Sequence, residues 1–532
     1  MLRFRSIPVV VVLSAVALLG SSLPAAAANA TGIDIRLPAG FTISGTILKK
    51  SDGKPVANAS VTVSGPVFQG ANTGTDGKFV LKALAKGSYT LSVSPPTNAL
   101  RAGFYTTANA DRFTASAASA TKITVNANVS GITMKLPGQK TFSIAGKITR
   151  ASDGTPVANA SVSVSGPVGG SATTNSQGVY KISGLLAGDY TLGVSPASGA
   201  NLQTGCLKSG SPGNFTAVCG GASTLKITNA DLTGRNVALP NGKKVTGKVM
   251  AGGTGVNSAS IVAISQDGRA SGFASTDSSG AFTIVGLAPG KYKFSVGAPY
   301  GSNLRSGFWT DANANRWVAT VGQAAAPNVT ADKNLGTIKP PAGFKIAGNV
   351  KGPDNAPIAY AWVTATSGSN SAFGFTDFDG NYEIIGLAPG NWTLMFEPGF
   401  AAPTLQRGWY KNNSTGFTPT QAQATAITVG PNKTGLKTKL PTGFSISGRV
   451  TKSGGGGVQT SLLATRASDG ASFFAFGASD GSYQFTGLGA GEYTVQAFSP
   501  SGANLVGGFY KAGAPGNYTP AAGQATKVPI GP

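Results

Sequence analysis

Nineteen carboxylates, two cysteines and no histidine define the chemistry open to this 532-residue chain. Without histidine there is no imidazole base, no Ser-His-Asp triad and no imidazole metal ligand. A carboxylate-based hydrolase needs two acids with divided roles. Asp52, Asp153 and Asp354 instead stand in turns that open their segments, and Asp76, Asp379 and Asp480 immediately precede a glycine. Aspartate suits such places because it hydrogen-bonds its own turn and tolerates positive φ. The acids therefore read as turn formers, no catalytic residue is assigned, and a non-enzymatic protein is expected. The stretch "TDFDGNYE" (376–383) alternates Asp377, Asp379, Asn381 and Glu383 like the front of a calcium loop. It lacks a bidentate Glu at the twelfth position, so it reads as a hairpin turn with a solvated acidic face. No metal and no cofactor is expected.

Aromatic residues recur in pairs, each after a glycine: Phe104-Tyr105, Phe308-Trp309, Trp409-Tyr410 and Phe509-Tyr510. Neighbouring side chains on a strand point to opposite faces. One ring of each pair should fill a core, and the other should stack on a sugar or pack against a neighbouring unit. Tyr105, Trp309, Tyr410 and Tyr510 are the candidates for carbohydrate stacking, because Phe104, Phe308 and Phe509 are the more apolar partners; Trp409 leaves that one choice open. A related glycine is followed instead by Cys206-Leu207, with Cys219 thirteen residues on. In an exported chain this spacing suits a local Cys206–Cys219 disulfide that replaces the lost aromatic contact. Closing so short a loop contributes about 3 kcal/mol.

These residues recur because the chain repeats. "DGKPVANASVTVSG" (52–65) returns as "DGTPVANASVSVSG" (153–166). Glycines of "ISG"-like strands stand at 45, 146, 247, 348 and 448, those of "TDGKF"-like turns at 77, 178, 280, 380 and 481, and those of "AKGSY"-like turns at 87, 188, 290, 390 and 491. Three series with one period of about 101 residues mean five tandem copies of one domain. Short alternating runs between Asp-Gly and Pro turns give about seven strands per copy. The fold expected is all-β: five tandem immunoglobulin-like or prealbumin-like seven-stranded β-sandwiches in an elongated rod. "TGIDIRLP" (31–38) and its relatives at 130–137, 233–240, 335–341 and 434–441 precede each "ISG" strand. Read as the opening strand, this segment sets repeats at 31–128, 129–231, 232–333, 334–432 and 433–532. The competing phase has it close the preceding unit and leaves 31–38 as a spare strand.

Residues 1–30 read as a signal peptide. Arg3 and Arg5 precede the apolar run Ile7–Gly20, and "LPAAAANA" offers small-residue cleavage sites after Ala28 or Ala30. The run is too short to span a bilayer. A secreted protein, at most loosely attached to the cell surface, is expected. The formal charge of +23 falls to +21 without Arg3 and Arg5, and is spread as +6, +4, +6, 0 and +5 over the five repeats. A polyanion site in every copy is thus not supported, and nucleic acid is not an expected partner. Extracellular glycans and anionic wall polymers are.

The combination "ISGTI…DGKPVANASVTVSG…TGTDGKFVLKALAKGSYTLSVS" resembles the carboxypeptidase regulatory-like domain, a transthyretin-like β-sandwich, and does so in all five copies. The fifth departs from it, with "SGGGGVQTSLLATRA" in place of the Pro-Val-Ala-Asn-Ala segment. The repeats also resemble the starch-binding-like sandwiches that accompany secreted glycosidases. The resemblance implies a non-catalytic structural module. Two functions follow: an extracellular spacer and adhesion module, or a carbohydrate-binding accessory of a polysaccharide-degrading system.

Overall fold

The computed structural model describes residues 29–269, 271–400 and 402–531. The signal-peptide assignment lies almost wholly outside them. In the first unit, Phe41–Lys49 is flanked antiparallel by Lys78–Leu84 and parallel by Val129–Leu136. A second sheet runs in the order Gln69–Asn72, Ser60–Ser64, Gly87–Ser94, Gly103–Tyr105, Phe113–Thr114, with Ile123–Val125 also on Gly87–Ser94. Alternation does the packing. Tyr89, Leu91 and Val93 face inward and meet Ile43, Ile47, Phe79 and Leu81 of the other sheet in one core. The unit has nine strands; Gln69–Asn72 and Phe113–Thr114, of four and two residues, are too short to show a period in sequence.

The strand phase corrects the expected boundaries. Val129–Leu136, placed by sequence at the start of the second repeat, completes the first. Val237–Leu239 likewise pairs with Phe142–Arg150, Lys333–Ile338 with Lys243–Ala251, and Lys433–Lys439 with Phe344–Lys351. Nor is the first copy spare. Ile35–Leu37 pairs in parallel with Phe444–Lys452, in register Ile35↔Val450 and Leu37↔Lys452. Ile33, Ile35 and Leu37 sit in the fifth core beside Ile446, Val450 and Tyr493. The units are thus 41–137, 138–240, 241–341, 342–441, and 442–531 closed by 29–38. Parity explains the choice. Ile132, Met134 and Leu136 are buried on the unit behind them, and each aliphatic side chain so buried contributes roughly 1.5–3 kcal/mol before ordering costs.

One polar contact recurs in all five units. The side-chain oxygen of an Asx residue ahead of the closing strand accepts a backbone N–H from the strand it joins: Asn128 from Thr42 (3.0 Å), Asp231 from Ser143 (2.8 Å), Asp332 from Lys244 (2.8 Å), Asn432 from Lys345 (3.0 Å), and Asn29 from Ser445 (2.8 Å).

The joints between units repeat as well. A loop of each unit exchanges two backbone hydrogen bonds with the connector leaving its own closing strand, as Arg101 N–H does with Pro137 and Gln139 N–H with Ala99. The fifth loop does the same with the connector into the first unit: Val506 N–H donates to Pro38 (3.0 Å) and Gly40 N–H to Asn504 (2.8 Å). Asn201 and Asn303 accept the N–H groups of Gly286 and Gly386 in the following unit (3.0 and 3.1 Å), and Asn504 accepts that of Ala83 in the first (2.7 Å). Gly286 and Gly386 need φ of +80° and +76°, and a Cβ there would lie 2.9 and 3.1 Å from the carbonyls of Leu202 and Leu304. The five units therefore close into a ring, not the expected open rod, because the joint from fifth to first is made like the others.

Three tyrosines test this closure. Tyr180 donates to the carbonyl of Arg235 and Tyr483 to that of Ile33, each on a closing strand or its lead-in, whereas the buried Tyr382 hydroxyl has no partner among the described residues. Tyr483→Phe should lower unfolding free energy by about 1 kcal/mol, while Tyr382→Phe should leave it unchanged or raise it, in urea denaturation.

Candidate functional site

The sequence-assigned stacking rings are core residues. The pairs obey strand alternation, but the second ring of each turns inward. Trp309 is 2% exposed, packs edge-on against Phe294 at 6.2 Å and donates its indole N–H to the Leu335 carbonyl. Tyr105, Tyr410 and Tyr510 pack against the cores of their units. They correct the expectation of exposed sugar platforms. The first ring faces out: Phe104, Phe308, Trp409 and Phe509 lie opposite the outward positions Ser92, Ser295, Met395 and Gln496. Cys206 and Cys219 are bonded, and Leu207 fills the inward position.

The acids do structural work. Asp52, Asp76, Asp153, Asp277, Asp354, Asp377 and Asp480 each accept backbone N–H groups of their own turns. The turn N–H of Asn381 above all holds the Asp377 carboxyl below the usual range, and the Ser482 hydroxyl does so for Asp480. Arg466 does the same for Asp469. Every carboxylate with a displaced pKa is displaced downward, the opposite of what a general acid requires. In "TDFDGNYE" Asp377 holds the turn, and Glu383 pairs with Lys345 at 3.0 Å. Among the described residues no three Cys, Asp or Glu side chains group as a metal site.

What stands out instead is an aromatic face on the fourth unit. Trp362 on Trp362–Ser367 and Phe373 and Phe375 on the edge strand Asn370–Phe375 project from one side of the sheet. Trp362 stacks on Phe373 (5.1 Å, 28°) and meets Phe375 edge-on (4.9 Å, 68°). Tyr300, from a loop of the third unit, reaches Phe373 at 5.6 Å. Trp362, Phe373 and Phe375 remain 40–48% exposed. Tyr300, Phe373 and Phe375 line a cleft of about 370 Å³ whose polar groups include Ser302, Ser371 and Glu383. A contiguous exposed apolar surface of this kind marks a contact site.

The other units serve as internal controls. Where the fourth has Trp362, they have Ser60, Ser161, Ser260 and Ser461; where it has Phe378, they have Thr75, Ser176, Ser278 and Ser479. Where the first two have Asn58 and Asn159 at φ of +56° and +57°, the fourth has Tyr360 at +58°. Asparagine visits this left-handed region readily, and a bulky aromatic does so at a cost. The corner is over-determined by buried Thr376, whose hydroxyl accepts the Ala361 N–H at 2.8 Å and whose carbonyl accepts that of Tyr360 at 3.0 Å. Strain held in this way places the Tyr360 ring 5.2 Å from Phe378. The units also differ in charge once the closing strands are assigned. Seven Lys and Arg stand against five Asp and Glu in 342–441, compared with ten against three in 41–137. The sequence signal for the face is the i, i+2 spacing in Phe373-Gly-Phe375, which puts both rings on one side of a strand.

Fold and face together define a closed tandem β-sandwich protein with an exposed aromatic surface on its fourth unit. Residues 42–129, 143–228 and 345–435 match the model of the carboxypeptidase regulatory-like domain, so the first, second and fourth units are domains of that family. No curated protein matches the sequence. Similar solved structures include the shaft pilin SpaA of Lactobacillus rhamnosus GG (8% identity, 38% of this chain and 98% of that one, TM-score 0.22). Others are a streptococcal ancillary pilin (9%, 57% and 99%, 0.23) and the TIE protein of Bacillus anthracis (13%, 79% and 74%, 0.17). At these scores the likeness carries nothing about function.

Both Tyr360→Ala and Tyr360→Asn remove the ring, but only Asn suits the left-handed backbone. The Asn variant should be the more stable by about 1 kcal/mol in urea denaturation.

Proposed function

We propose that this chain is a secreted, non-enzymatic adhesion and scaffolding protein, a ring of β-sandwiches that presents the aromatic face of its fourth unit to an extracellular partner. The observation that carries this reading is that the fourth unit alone replaces Ser, Ser/Thr and Asn positions with Trp362, Phe378 and Tyr360, the last against its backbone preference. A ring built only for rigidity has no use for these rings in solvent.

A second reading names the partner as carbohydrate. Flat, partly exposed rings beside Ser302, Ser371 and Glu383 suit a pyranose, with an apolar face to stack and hydroxyls to pair. The low net charge of this unit favours an uncharged glycan over an anionic wall polymer, which would be drawn instead to the more basic first three units.

On affinity gels containing neutral polysaccharide, Trp362→Ala should abolish retention while shifting stability by no more than about 0.5 kcal/mol. Tyr105→Ala should cost about 3–5 kcal/mol with unchanged retention per folded molecule. Retention that survives Trp362→Ala removes the carbohydrate reading. If no polysaccharide retains the wild type, while a glycan-free extracellular protein partner captured by it is lost with Trp362→Ala, the adhesion reading stands without carbohydrate.

Export has its own signature. Asn29 caps the fifth unit as Asn432 caps the fourth. Cleavage after Ala28 keeps that cap and cleavage after Ala30 removes it, so the mass of the exported chain should correspond to a start at Asn29.

A further inference from the structure

The fifth unit differs from the others in how it obtains its closing strand. In the first unit Ile123–Val125 runs within a few residues into Val129–Leu136, and in the fourth Ile427–Val429 runs likewise into Lys433–Lys439. In the fifth, Val528–Ile530 holds the corresponding place, but the closing strand comes from the other end of the chain. The repeat frame is nevertheless unbroken across that gap. Read from Gly531-Pro532 into Asn29, "GP" followed by "NATGIDIRLP" reproduces "GPNKTGLKTKLP" at 430–441.

We propose that the fifth unit is a strand-acceptor site and residues 29–38 a donor strand that a second copy of this chain can supply, so that rings open into head-to-tail chains. The acceptor is specified in detail. Its apolar side takes Ile33, Ile35 and Leu37, Ser445 N–H donates to Asn29, Arg449 N–H donates to the Asp34 carboxylate at 2.8 Å, and Tyr483 donates to the Ile33 carbonyl. None of these contacts depends on which molecule the donor belongs to. The same holds for the joint beside it, where Asn504 bonds Ala83 N–H and the Gly40 carbonyl, and Val506 N–H bonds Pro38. Only two residues, Ala39 and Gly40, separate the donor from Phe41, so a donated strand brings its first unit with it and rebuilds this joint in trans.

An exchanged chain thus gains and loses no contact at the seam. The balance rests on effective concentration, which favours closure within one molecule in dilute solution and linkage between molecules when chains fold close together. Strand addition to a sheet that lacks one is a general route to protein association, and swapping of an identical element is a low-cost way to join protomers.

The test uses the full chain from Asn29 with Arg36→Cys and Thr451→Cys, positions that face one another across the seam. The native cysteines are already paired. The protein is refolded from denaturant over a range of concentrations, oxidised, and run on a non-reducing gel. Single-chain product is expected at low concentration and a ladder at high concentration. A tenfold molar excess of a synthetic peptide of residues 29–38 should suppress the ladder, and the same peptide with Ile35→Asp, which would bury a carboxylate, should be at least about 100-fold less effective. A permuted chain that carries residues 29–38 after Pro532 has its acceptor filled by a covalently adjacent strand. By size-exclusion chromatography it should refold as a monomer at every concentration at which the unpermuted chain oligomerises. Single-chain product alone at all concentrations overturns the proposal, as does a ladder that ignores the peptide or oligomers that persist in the permuted chain.

Discussion

The parallel pairing of a closing strand with the "ISG" strand behind it is the contact on which the rest of this structure depends. A sandwich unit here has a three-stranded sheet whose edge is formed by that strand. Its inward residues, such as Ile132, Met134 and Leu136, complete the core. Without it the "ISG" strand would show bare backbone groups on one side and an open core on the other. Because the strand is followed directly by the next unit, every closure also fixes the start of that unit. Joints and closures are therefore one device, repeated five times.

Ring formation follows from that device together with a shift of phase. One closing strand, Ile35–Leu37, precedes the first unit, and among the described residues Val528–Ile530 of the fifth unit is not followed by another. Parallel pairing of Ile35–Leu37 with Phe444–Lys452 resolves both at once. The left-handed glycines at the joints, Gly286 and Gly386, leave out a Cβ that would lie about 3 Å from the Leu202 and Leu304 carbonyls of the preceding unit's loop. In the first unit that place is held by Ala83 at φ +58°, where the incoming loop belongs to the fifth.

On this frame the fourth unit departs from its neighbours in one direction, toward aromatic side chains in solvent. Trp362, Phe378 and Tyr360 stand where the copies keep hydroxyl and amide groups, whereas the edge-strand rings Phe373 and Phe375 have exposed counterparts in Phe474 and Phe476 of the fifth unit. The corner that accepts Tyr360 is held by Thr376, the counterpart of Thr73, Thr174 and Thr276, which pin the same corner in the first three units. A shared, over-determined scaffold thus lets one copy carry an aromatic ring on a left-handed corner while its fold stays that of the others.

The sequence by itself determined the number of units, their β-sandwich class, the turn role of the acids and the cysteine pairing. All of these rest on local signals: period-two alternation, Asp-Gly turns, and two cysteines thirteen residues apart. It also placed the paired aromatics on strands with one ring inward. Which ring turns inward is set by register against Gly87–Ser94 and its counterparts, a pairing between segments that local pattern does not encode, and so the inward Tyr105, Trp309, Tyr410 and Tyr510 were read as outward. The phase of the closing strand is ambiguous in sequence for the same reason, since a strand between two units alternates identically whichever it serves. Only the tertiary structure decided that it serves the one behind. The aromatic face lay between these cases. Its i, i+2 spacing is legible, but the meeting of Tyr300 with Phe373 across two units required the joint, which exists only once each unit has been closed.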